Sequence, residues 1–293
     1  MISKIRSDLA CEAHALWQES TGKTTRLPGV KARTDVRDGF TLERVEILDD
    51  EGAAALGKPV GRYITVDVDP LQAREENAFP RACELLAKQL RELIAFPNCS
   101  SFLVVGLGNR AITPDAIGPE CVDHLLVTRH LKQQMPEHFG PFQSVTAVAT
   151  GVLGTTGVES GELVAALCRE LSPSCVIAVD ALAAREPRRL CRSVQIADTG
   201  IVPGSGVGNA RAALSRETLG VPVIAIGVPT VVDAATLCYD FGGKDVPEEA
   251  AAMFVTPRDI DKNVKDIGKL LGYALNFAFH DGLTMADIEM FLS

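Results

Sequence analysis

Residues 101–119 read SFLVVGLGNRAITPDAIGP. The apolar run Phe102 to Val105 predicts a buried strand, and the Gly106-Leu107-Gly108-Asn109-Arg110-Ala111 turn that follows has the G-x-G-x-x-A form. The same alternation of apolar strand and helix continues along the chain. Strands are expected at 101–106, 144–150, 175–179, 192–197 and 221–227, and earlier at 61–67. Helices are expected at 81–95, 117–133, 158–171 and 257–280, the last opening with Thr256 as N-cap and Pro257 at its first position. Near-continuous apolar strands separated by helices predict an α/β fold, a mainly parallel sheet flanked by helices. No repeat or linker divides residues 1–293, so a single domain is expected. Residues 9–60, charged and irregular, read as a peripheral layer.

The 293 residues carry 29 basic and 38 acidic side chains, a formal net charge of −9. That balance argues against direct binding to nucleic acid, which rests on Lys and Arg, and mildly favours a basic protein as partner. The eight cysteines are scattered, without a C-x-x-C pair or histidines at zinc-binding spacing, as expected of buried free thiols. Charges at residues 4, 6, 8 and 12 exclude a signal-peptide core, and no run of 18 apolar residues occurs. A cytoplasmic protein with no membrane contact is expected.

The G-x-G-x-x-A turn does not read as a dinucleotide site. The next strand carries no acid to hold a ribose, and Pro114 and Pro119 crowd the helix start where phosphate would sit. Asp115 and Asp180 are better placed. In α/β sheets ligands sit beyond the carboxyl ends of strands. Asp115 follows the first strand by one loop, and Asp180 directly ends CVIAVD. Two such carboxylates can share a proton and activate water. The alternative is plain helix capping, Asp115 for a helix from Ile117 and Asp180 for a short helix ALAAR. The D-T-G at 198–200 lacks the β-rich surroundings of pepsin-like enzymes. VPGSGVGNAR, 202–211, is either a backbone cradle for substrate or a tight connection. Thr230 and Asp233 form a T-x-x-D cap pattern. No Ser-His-Asp or H-E-x-x-H arrangement is present.

Several segments together resemble the germination proteases of spore-forming bacteria: RSDLACEA (6–13), GRYITVD (61–67), residues 104–131, GVLGTTGVES (151–160), CVIAVDALAAR (175–185) and residues 194–234. The resemblance implies a phosphorylase/hydrolase-like fold similar to hydrogenase maturation peptidases, and a homotetramer. It implies an endopeptidase of the forespore or spore core that degrades small acid-soluble, DNA-protecting spore proteins. Asp115 and Asp180 match the family's catalytic carboxylates, with no cofactor. A metal bridging the pair is left open. Gly106, Gly108 and Asn109, with Gly204, Gly206 and Asn209, become candidates to receive substrate backbone. RSDLACE resembles the site at which the family trims itself, which implies a short propeptide, 1–8, released by a cut between Asp8 and Leu9. Two departures stand out: this propeptide is short, and an insertion familiar between residues 240 and 253 is nearly absent. Other readings are a maturation-type peptidase with metal-assisted recognition of one partner protein, or a catalytically silent binding protein.

Overall fold

The computed structural model describes residues 7–22, 27–95, 99–205, 211–242, 250 and 252–293. Its strands are β1 (Val30–Arg37), β2 (Phe40–Ile47), β3 (Gly61–Asp67), β4 (Ser101–Leu107), β5 (Ser144–Gly151), β6 (Cys175–Ala184), β7 (Ser193–Ala197), β8 (Val223–Asp233) and β9 (Phe254–Val255). One sheet joins them in the order β1-β2-β3-β7-β8-β6-β4-β5, with β9 paired to β8. The α/β layout is as expected, but the sheet is mixed rather than mainly parallel. Strands β5, β4, β6 and β8 are parallel; β7, β3, β2 and β1 continue antiparallel. The connections from β4 to β5 and from β5 to β6 run through helices, the long crossovers that parallel strands need.

The central strands alternate cleanly between two layers. Phe102 and Val104 of β4 pack with helices Ala78–Ile94, Ile117–Asp123 and Ile260–Phe279. Leu103, Val105 and Leu107 pack on the other face with Val164 and Cys168 of helix Ser160–Leu171. A third cluster forms where Leu9, Ala10, Val45, Ile47 and Leu56 meet Leu182, Ala184 and Val232. Residues 9–60 are therefore sheet and core as well as surface. Their hairpin turns at Asp38-Gly39, both with positive φ (51° and 83°), the Asp-Gly signature of a type I′ turn.

Two helix expectations change. The 117–133 helix is two, Ile117–Asp123 and Arg129–Gln134, because Leu126 N–H turns away to the side-chain oxygen of Asn276 at 2.8 Å. The C-terminal helix starts at Ile260 with Asp259 at its N-cap; Thr256 instead donates to the Thr230 carbonyl at 2.9 Å.

That helix ends at His280, which is 3% exposed beside the Phe142 and Phe279 rings, at 5.1 and 6.3 Å. Neither ring nitrogen has a hydrogen-bond partner among the described residues. Burial, with Lys132 adding to it, pulls its pKa down from 6.5 to about 4. The folded value lies below the unfolded one, so this contribution is full above pH 6.5 and lost as pH falls through 4. The loss amounts to about 3 kcal/mol once both states are protonated. Urea unfolding at pH 7 and pH 4 should show wild type losing that much more than His280→Phe; equal losses would contradict it.

Candidate active site

β4 ends at Leu107, and the chain then doubles back over Gly108. Its φ is 106°, and a Cβ there would lie 2.0 Å from the Asp115 carbonyl oxygen, so only glycine fits. This fold-back lets Asn109 N–H donate to Asp115 Oδ2 at 2.7 Å, while Asn109 Oδ1 accepts from Ala111 N–H at 3.0 Å. Asp115 ends a 3-10 turn, Thr113–Asp115, and the following helix is capped by the backbone of Ala116. Asp115 is thus held by the loop and does not cap.

Asp180 does not cap either. β6 continues past it to Ala184, paired to β8, so ALAAR is strand where a helix was expected. Asp180 is 5% exposed and its Oδ1 accepts from Ala181 N–H at 2.9 Å. Burial pushes its pKa well above the usual carboxylate range. The Asp115 charge adds to this, as does that of Asp8, against the opposing bond from Ala181. Asp115, half-buried, is also raised by burial, with the Asn109 N–H pulling it back. Burial thus favours the protonated form of both carboxyls, and the Asp115 charge adds to it at Asp180.

Both aspartates line one cleft of about 400 Å³, walled by Ile112, Val152, Leu182, Pro203 and Phe254. Gly108 and Gly204 line it too, and Asn109 holds Asp115. Gly106 does not belong to it. A Cβ on Gly106 would lie 2.4 Å from the Gly118 carbonyl oxygen, so this glycine admits the helix Ile117–Asp123 against the sheet. Gly206 and Asn209 lie outside the described residues. The D-T-G aspartate, Asp198, is tied to Arg62, accepting from its N–H and Nε, both at 2.7 Å. Among the described residues no three or more His, Cys, Asp or Glu side chains stand together as a metal-binding group.

The segment expected to carry the cut is seated beside this cleft. Asp8 N–H donates to the Ala183 carbonyl at 2.9 Å, and Ala183 N–H donates back to Asp8 Oδ2 at 2.8 Å. Ser205 Oγ donates to Asp8 Oδ1 at 3.2 Å. The Asp8 carbonyl accepts from Lys58 Nζ at 2.9 Å and from Gln195 Nε2 at 3.2 Å, and Gln195 Oε1 accepts from Ala10 N–H at 2.7 Å. Leu9 and Ala10 are fully buried. Glu12, 3% exposed, accepts from the N–H groups of Arg185 and Glu186, at 2.7 and 3.0 Å. Ser7 Oγ accepts from Leu9 N–H and donates to Glu12. Of these partners only Gln195 has a sequence signal, a lone amide inside the apolar run VQIA. Lys58 and Ser205 have none.

The comparisons point one way. A family model described as germination protease matches residues 10–242. The germination protease of Caldanaerobacter subterraneus subsp. tengcongensis is 40% identical over 322 aligned positions, covering 98% of each chain. That alignment is longer than the 293 residues here, so the relative carries residues with no counterpart in this chain. The germination protease of Clostridium perfringens (strain ATCC 13124) is 36% identical over 99% of each chain. That of Bacillus cytotoxicus is 43% identical over 80% of this chain and 65% of its own. Among solved structures, a [NiFe] hydrogenase maturation protease, HycI, of Thermococcus kodakarensis matches 64% of this chain and 98% of its own. Its TM-score of 0.36 and 16% identity carry no argument. Matched by the family model over most of its length and by full-length relatives from end to end, the chain belongs to the germination protease family and is an endopeptidase of spore germination.

Proposed function

We propose that Asp115 and Asp180 are the catalytic pair, and that the substrates are small acid-soluble, DNA-protecting spore proteins. The observation that carries this is the convergence of the two carboxylates on one apolar-walled cleft, with Asp180 driven towards its protonated form by burial and by Asp115. Asp115, ionised, takes a proton from the attacking water. Asp180, protonated, gives its proton to the scissile carbonyl. A homotetramer working in the spore core belongs to the same reading.

The chain is also read as a zymogen that removes Met1 to Asp8. Supporting this, Asp8 is docked on β6 three residues beyond Asp180, with its carbonyl gripped by Lys58 and Gln195. Leu9 to Glu12, an apolar-Ala-x-Glu sequence, is anchored in the core and would stay after the cut. Incubation at mildly acidic pH with intact-mass readout is the test. Wild type should lose residues 1–8 while Asp180→Asn stays whole. A wild type that remains full length ends the self-processing reading, and supplied substrate then decides between an enzyme activated in trans and a binder.

A further inference from the structure

The T-x-x-D pattern at 230–233 resolves into two separate roles. Asp233 caps the helix Ala234–Asp240, accepting from Thr236 N–H at 2.9 Å. Thr230 takes no part in that cap. It is the extra residue of a bulge between β6 and β8, where Leu182 pairs with Pro229 and Ala183 pairs with Val231. Bulges of this kind re-aim side chains next to active sites. Thr230 lines the aspartate cleft, is 1% exposed, and its Oγ1 has no hydrogen-bond partner among the described residues. An unpaired buried hydroxyl costs stability, so its presence here calls for a partner that arrives with substrate. Two other polar side chains lining the cleft, Ser160 and Arg211, have partners. Ser160 donates to the Gly151 carbonyl at 3.3 Å, and Arg211 holds Glu159 at 2.6 and 2.8 Å.

We propose that Thr230 is a further catalytic residue, its O–H donating to the oxygen of the scissile carbonyl as water adds. The inference rests on the aspartate-pair reading above. The water oxygen bonds to the carbonyl carbon, and its proton passes to Asp115. The C=O electron pair moves onto oxygen, which receives the Asp180 proton and is held by Thr230. Collapse returns one diol proton to Asp180, breaks the C–N bond, and sends the Asp115 proton to the leaving nitrogen. Thr230 keeps its proton throughout.

The test compares wild type, Thr230→Val, Thr230→Ser and Asp180→Asn on a synthetic peptide copying residues 3–14, with thermal melting alongside. Thr230→Val should lower kcat about 100-fold with KM little changed. Its melting temperature should stay equal or rise, because an unpaired hydroxyl is gone. Thr230→Ser should stay within a few-fold of wild type. A Val variant with wild-type kcat, a Val variant that melts lower, or a Ser variant as impaired as Val overturns the proposal. If Thr230→Val is fully active while Asp180→Asn is silent, the inference alone fails. Should wild type not cleave, or Asp180→Asn cleave as wild type does, the aspartate-pair reading fails beneath it.

Discussion

Asp180→Asn is expected to lower peptide cleavage by roughly 10³-fold while raising the melting temperature at neutral pH. Under the proposed mechanism, the activity loss follows from removing the proton that Asp180 gives to the scissile carbonyl. The stability gain follows from linkage. Asp180 is buried in β6 near Asp115 and Asp8, and both effects raise its folded-state pKa above its unfolded value. A group raised in this way contributes stability that is full below the unfolded value, about 3.9, and is lost as pH rises through the folded value. Asparagine cannot ionise and does not suffer that loss, yet its side-chain oxygen still accepts from Ala181 N–H. The melting difference between variant and wild type should therefore open as pH rises and close below about pH 4. A variant that is inactive but melts lower at pH 7.5 would assign Asp180 a structural role.

The parallel half of the sheet was legible because β4, β6 and β8 are buried on both faces and read as unbroken apolar runs. Asp115 and Asp180 were legible for the same reason, as acids that follow such runs. What stayed hidden depends on partners remote in sequence. ALAAR favours helix locally, but pairing of Ala181 to Ala184 with β8 makes it strand. β1 was unreadable by hydrophobic pattern because it is an edge strand exposed along most of its length and rich in charge. The Asp38-Gly39 turn was a signal that was there to be read. Gly106 and Gly108 look alike in sequence, but one admits a helix and the other admits the Asp115 loop. Lys58 acquires meaning only because Asp8 is brought to it across 50 residues of chain. Thr230 is set apart by the bulge in β8, which no local pattern announces.

Arg189→Ala should carry the largest stability penalty of any single change at the N-terminal layer, roughly 3–5 kcal/mol at pH 7.5 by urea unfolding. Arg189 is 5% exposed and stands 2.7 Å from Glu43, 3.2 Å from Asp67 and 3.7 Å from Glu12. Without it, three carboxylates drawn from the helix Ala10–Thr21, β2 and β3 face one another with no buried cation between them. Burial already raises the pKa of Glu12 and Asp67, and removing the guanidinium raises both further. The folded variant therefore gains stability by binding protons, so its deficit should be greatest at alkaline pH and shrink towards pH 5. Glu43→Gln in the same chain should recover part of the loss, since it removes one of the stranded charges, and the double-mutant cycle measures how much. A deficit that is independent of pH would mean that Arg189 acts through packing alone. Because Glu12 also holds the amides of Arg185 and Glu186 directly after β6, the cluster fixes the segment that begins at Asp8 as well as the sheet beneath it. If the chain processes itself as proposed, that coupling requires slower release of residues 1–8 in Arg189→Ala, at a pH where the fold is intact.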